Sequence, residues 1–245
     1  MSIELHKYTY KENDNKLVKY DARTLKFIKS TTLNENISVF IPSNLDMDVF
    51  SDILIENNNK LNQNINIYLY KPLRYCRLYF FGSNINFYSF TDKSFRSNIL
   101  MYKNSNVVIG EDSTSNGVRI ITDNSDLFIG RDVMISHDIE IQTDDQHQLI
   151  DLETMSTMHQ NVRNSVNIDD HVWLGKRALI LKNVSIGKGS IVGAGSIVTK
   201  NVDEFVAVAG NPAKVIKNNI SWIRSTQNAK ENALFSSYKD SMNEK

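Results

Sequence analysis

From Ile168 onward an aliphatic residue occupies every sixth position without a slip: Ile168, Leu174, Ile180, Ile186, Val192 and Val198. Four residues after each stands a small or β-branched residue: Val172, Ala178, Val184, Ser190, Ser196 and Val202. A helix of 3.6 residues per turn carries a six-residue repeat to a new face each time, and a simple strand alternates with period two. Neither alone accounts for the pattern. Short strands joined by tight corners do, with two inward positions in every six residues. Gly175, Gly187 and Gly193 each follow the aliphatic residue, and six of the chain's ten glycines fall between His171 and Gly210. Glycine so placed marks corners whose backbone geometry a side chain would hinder.

Three six-residue sides make one triangular coil, and stacked coils bury one another's aliphatic ladder, which predicts a mainly β solenoid. Ile109-Gly110, Ile129-Gly130, Val133, Ile135, Ile139 and Ile141 continue the pattern upstream, with the register shifted between Ser113 and Leu127. The period fails in the polar run between Thr143 and Ser165, which reads as an extruded loop near 144–165; long loops in compact repeats carry function. Nearer the N-terminus, residues 37–41 and 65–70 read as strands, 47–61 as an amphipathic helix and 77–90 as aromatic-rich strands. The predicted organisation is a cover segment of mixed α/β character over 1–65, a β-helix over 66–217, and a C-terminal helix and tail over 218–245. Ile220, Ile223, Leu234 and Tyr238 carry that helix, which would cap the solenoid's open edge.

Composition narrows the partners. The 245 residues include 28 Lys and Arg against 28 Asp and Glu, so no global field favours nucleic acid or an anionic membrane. Apolar residues at 41% and charged ones at 23% exclude a disordered chain. Residues 1–15 lack an apolar signal core, and no stretch approaches the roughly 20 apolar residues of a membrane span. The single cysteine, Cys76, excludes a disulfide framework and a CxxC metal site. These features predict a protein of the reducing cytoplasm with no resident metal.

The stretch from Asp144 to Lys217 resembles the hexapeptide-repeat acyltransferases, in the xenobiotic, galactoside and capsule-sugar O-acetyltransferase branch. The likeness lies in Asp145-Gln146-His147, in His171-Val172-Trp173-Leu174-Gly175, in the run from Val192 to Lys200, and in Ala209-Gly210-Asn211-Pro212-Ala213-Lys214-Val215-Ile216-Lys217. Where that family often has Ile-Gly ahead of its His-Val-Trp motif, this chain has Ile168-Asp169. The resemblance implies a left-handed parallel β-helix, against the usual right-handed crossover. It also implies a homotrimer with acetyl-CoA in a groove between subunits and a carbohydrate acceptor.

Moving an acetyl group from a thioester to a sugar hydroxyl needs a base near neutrality, which imidazole supplies. Of the five histidines, His6 sits in the unassigned N-terminus and His159 deep in the loop. His137 and His171 fall inside repeats and read as wall or corner histidines with ordinary hydrogen bonds. His147 stands where the regular coil gives way to the loop and matches the family's catalytic histidine. Asp144, Asp145 or Asp151, or a backbone carbonyl, could orient its second ring nitrogen. Cys76 is remote from the motifs and no G-x-S-x-G elbow is present, so a ternary complex is expected rather than a covalent intermediate. A backbone N–H or the Trp173 indole N–H could donate to the oxyanion. Trp173 also reads as a cofactor contact, or as a ring packed between subunits. For coenzyme A, Gly193 and Ala194 allow close backbone approach, and Thr199 matches a cofactor-contacting position. Lys200, Lys214 and Lys217 suit the phosphates and ribose. Other readings are N-acetylation of an amino sugar nucleotide, a non-catalytic β-helix scaffold, and a zinc-dependent carbonic anhydrase. The last needs three convergent histidines, and Lys176 stands where the downstream one would be.

Overall fold

The computed structural model describes residues 16–224, apart from 31, 34, 52, 59–60 and 158–162. Its elements are almost all strands, wound into a left-handed parallel β-helix of about 8 turns. One face is a parallel stack of Ile37–Pro42, Ile65–Leu69, Ile85–Ser89, Asn106–Ile109, Ser125–Ile129, Asn164–Ile168 and Ser185–Ile186. The second face carries Met134–Ile135, Trp173–Leu174, Ile191–Val192 and Ala207–Ala209. The third carries Ile139–Gln142, Leu179–Ile180 and Ile197–Val198. Upstream of residue 123 one long strand does the work of the last two faces. Thr114–Thr122 pairs through Thr114 and Ser115 with the second face and through Val118 to Ile121 with the third, and its ladder shifts register between Ser115 and Val118.

The six-residue ladder occupies the core as its spacing requires. Ile168, Leu174, Ile180, Ile186 and Val192 are fully buried, and so are Val172, Ala178, Val184, Ser190 and Ser196 to within 1%. Each large side chain so buried contributes about 1.5–3 kcal/mol of transfer free energy. The corners turn on left-handed residues recurring every six positions: His171 (φ 56°), Arg177 (60°), Asn183 (57°), Gly189 (70°) and Gly195 (70°). Gly175 is not among them. Crowding explains it instead, because a Cβ there would lie 2.6 Å from the Val192 carbonyl oxygen of the next coil. The glycines that follow the aliphatic residues therefore permit coil-to-coil approach, whereas the turning itself is done two residues later.

Two readings of the N-terminal part are corrected. Residues 47–61 do not form a helix: Met47–Val49 is a single 3₁₀ turn, and Ile53–Asn57 is a strand parallel to Arg74–Phe80. Alternating burial of Ile53 and Ile55 against Leu54 mimicked an amphipathic stripe. Parallel stacking also begins well before residue 66, with Ile28–Lys29 on Ile53–Asn57 and Ile37–Pro42 on Ile65–Leu69. Among the described residues the cover is Leu17–Asp21, which runs antiparallel to Ile37–Pro42 and closes that edge of the stack. At the other end Lys214–Lys217 runs antiparallel to Ala207–Ala209. Residues 220–224 are extended rather than helical and lie along the side of the solenoid, while 225–245, with Leu234 and Tyr238, fall outside the described residues.

Candidate active site

The loop leaves the solenoid at the edge between the third and first faces, directly after Ile139–Gln142, and the coil resumes at Asn164–Ile168. Thr143 anchors its start, sharing a hydrogen bond with the Ser125 hydroxyl and donating to the Ile121 carbonyl. Next to it Asp144 accepts from the Gln146 backbone N–H at 2.8 Å and from the Asn164 amide at 2.6 Å, so one carboxylate ties the two ends of the loop together. Asp145 pairs with Lys182 of the following coil. Asp151 caps a turn by accepting from the backbone of Glu153 and Thr154, which holds its carboxyl below the usual range. The three aspartates proposed to orient His147 are thus engaged in shaping the loop. His147 itself is exposed just beyond this knot. Further along, the described part of the loop contains a short hairpin, Ile150–Asp151 with Ser156–Thr157, and presents Leu149, Ile150, Leu152 and Met155 to solvent. His159 and His6 lie outside the described residues.

Trp173 opens the second face, with Met134 and Ile191 beside it, and is 36% exposed. Gly193 and Ala194 lie at the edge between the second and third faces, just before the left-handed Gly195. Beside Gly195 an added Cβ would meet nothing within 4 Å, so this backbone is open to an approaching ligand. Thr199 and Lys200 are exposed where the third face ends, on the same edge as the loop. Lys214 and Lys217 lie on the terminal strand, opposite Ala209 and Ala207, and both are exposed. The site residues therefore spread over all three edges of one chain. His147 and Trp173 bound opposite ends of the first face, whose five-residue strand Asn164–Ile168 alone spans about 17 Å.

His171 behaves as a corner histidine. Its Nδ1 lies 2.6 Å from an Asp132 carboxylate oxygen and its Nε2 2.9 Å from the Trp222 carbonyl. Asp132 also accepts from Arg224 at 2.7 Å. Burial works against its ionisation, yet the bonds from His171 and Arg224 outweigh that and hold its pKa below the ordinary carboxylate value. No sequence signal marks this cluster, because its members come from two coils and from the segment after the repeats. Among the described residues no group of His, Cys, Asp and Glu could hold a metal ion, and no helix is long and apolar enough to cross a membrane.

Known proteins share this parallel β-helix architecture. Residues 165–200 match the family model described as bacterial transferase hexapeptide (six repeats). The polysialic acid O-acetyltransferase of Escherichia coli O1:K1 / APEC is 40% identical over 131 residues, covering 53% of this chain and 42% of that protein. The galactoside O-acetyltransferase of Lactococcus lactis is 32% identical over 110 residues, covering 45% and 52%. The chain thus spans about half the length of the curated relatives it matches. Among solved structures, the polySia-specific acetyltransferase NeuO superposes with a TM-score of 0.75 at 29% identity, covering 86% of this chain and 90% of that one. The resemblance to the hexapeptide-repeat acyltransferases stands, in the repeats and in the fold.

Proposed function

We propose that the protein is an acetyl-CoA-dependent O-acetyltransferase acting on a sugar hydroxyl of a bacterial capsular or surface polysaccharide. The observation that carries this reading is the exposed His147 on an edge loop of a solenoid that superposes on NeuO over 86% of this chain, well beyond the repeats. The names of the relatives point to a sialic acid polymer as the acceptor to try first. One ring nitrogen of His147 accepts the hydroxyl proton as the oxygen attacks the thioester carbonyl. The resulting tetrahedral oxyanion collapses to expel the coenzyme thiolate, which recovers the proton from the imidazolium. A backbone N–H or the Trp173 indole N–H donates to the oxyanion. The pantetheine arm takes the open backbone beside Gly195, next to Gly193 and Ala194, with Thr199 alongside. Lys200, Lys214 and Lys217 meet the phosphate-bearing end.

Because those residues lie on different edges of one chain, the reading places the site between chains. A trimer related by a threefold axis sets the loop edge of one copy against the second face of its neighbour. The exposed Leu149, Ile150, Leu152 and Met155 give the loop an apolar surface for that contact. The test is thiol release from acetyl-CoA across a glycan panel that includes oligosialic acid and amino sugar nucleotides. Release with a hydroxyl acceptor, reduced about 10²–10⁴-fold in a folded His147→Ala variant, supports the proposal. Acetylation of an amine alone, or no turnover with any acceptor, refutes it.

A further inference from the structure

Beyond the last repeat the chain doubles back down the edge between the first and second faces. That edge is a column of left-handed residues, one per coil: Asp112, Asp132, His171, Gly189 and Phe205. Ile220 donates its backbone N–H to the Phe205 carbonyl and the Ser221 hydroxyl donates to Gly189. At the next coil Trp222 meets His171 in a reciprocal pair, its indole N–H donating to the His171 carbonyl at 2.8 Å while its own carbonyl lies 2.9 Å from Nε2. The two rings lie flat on each other, centroids 4.2 Å apart and 3° from parallel. Arg224 then reaches Asp132 and the Thr114 hydroxyl, and its guanidinium sits 5.3 Å from the centre of the Trp222 ring. Four residues so fasten five coils.

The centre of this strap adjoins the proposed site. Trp222 is only 6% exposed, and its ring stands 6.4 Å from that of Trp173 at 55°, within the range of tilted aromatic pairs. Trp173 is flanked in its ladder by Met134 and Ile191 and is 36% exposed, so part of its ring faces solvent rather than protein. We propose that Trp222, clamped between His171 and Arg224, is a positioning residue that sets the orientation of Trp173, so that the segment after the repeats helps shape the acetyl-CoA site. This rests on the acetyltransferase reading insofar as it concerns the coenzyme. The orientation of Trp173 is independent of it.

The chain has two tryptophans, so replacing Trp222 leaves Trp173 as the sole reporter. Trp222→Leu removes the aromatic ring, whereas Trp222→Phe keeps an aromatic ring, smaller than the indole and without its N–H. In Trp222→Leu, acrylamide should quench Trp173 more readily than in Trp222→Phe, and calorimetric affinity for acetyl-CoA should weaken about tenfold, the upper worth of one aromatic pair. Trp222→Phe should keep near-native affinity, which a merely structural strap would not require. Equal quenching and equal affinity in the two folded variants overturn the proposal. Should Trp222→Leu not assemble, Arg224→Gln in the Trp222→Phe background frees the strap's end without opening a cavity. Unchanged Trp173 quenching there overturns it as well. If wild-type protein binds no acetyl-CoA, the functional reading falls, while the ligand-free quenching comparison still decides whether Trp222 holds Trp173.

Discussion

Asp132 and His171 stand 39 positions apart yet share a hydrogen bond, because one coil with its loop separates them. A carboxyl whose pKa is depressed by folding stabilises the native state above its unfolded pKa and loses that contribution as pH falls through the folded value. Asp132 is such a group, starting from an ordinary 3.8. Asp132→Asn should therefore lower the melting temperature at neutral pH. The gap from wild type should narrow below about pH 4, as thermal scans across pH would show. Cys76 gives an independent check on burial. Enclosed against Ser97, its thiol is pushed up to about 12, mainly by desolvation. It should resist alkylation in the folded protein and react once denatured, and rapid labelling of native protein would contradict its placement. Gly175→Ala should destabilise by about 1–3 kcal/mol, the usual cost of overpacking, since its Cβ would collide with the Val192 carbonyl. An unchanged melting curve would remove crowding as the reason for that glycine.

At the scale of elements, what the sequence revealed depended on coil length. After the loop, Leu174 faces Val192 and Ile180 faces Val198, three sides of six residues each, and the period was plain. Upstream the coils take about 20 residues, and asparagine ladders mark them: Asn64, Asn84 and Asn104 bond side chain to side chain at steps of 20. Strands such as Ser94–Met101 run across two faces there, which erases the six-residue beat. The first-face strands carry stacked rings at outward positions, Phe40 on Tyr68 on Tyr88 at 4.5 Å, so hydrophobicity no longer distinguishes inside from outside. The helix expected over 47–61 failed because the strand Ile53–Asn57 carries apolar residues on both sides, which mimics an amphipathic stripe. The strap of 220–224 was illegible for another: its partners are backbone carbonyls and corner residues of distant coils, which leave no periodic trace. The motifs around His147, Trp173 and the terminal lysines were singled out by their resemblance to the hexapeptide-repeat acyltransferases, which rests on short contiguous stretches of sequence.

For the whole molecule, the lysines and the assembly make separate predictions. Neutralising Lys200, Lys214 and Lys217 should weaken acetyl-CoA binding and flatten its salt dependence, with little change in turnover at saturation, because phosphate contacts persist unchanged into the transition state. Unchanged affinity in all three variants would return those lysines to solvated surface. The central claim is that neither His147 nor Trp173 completes a site within its own chain. Subunit mixing tests this most directly. His147→Ala and Trp173→Ala proteins, each impaired alone, are dissociated together, reassembled, and assayed for thiol release from acetyl-CoA with the acceptor found active for wild type. The account predicts that the mixture regains activity well above either parent, because some interfaces then unite an intact His147 with an intact Trp173 from the neighbouring chain. A mixture that forms heterotrimers yet remains as inactive as its parents would contradict it.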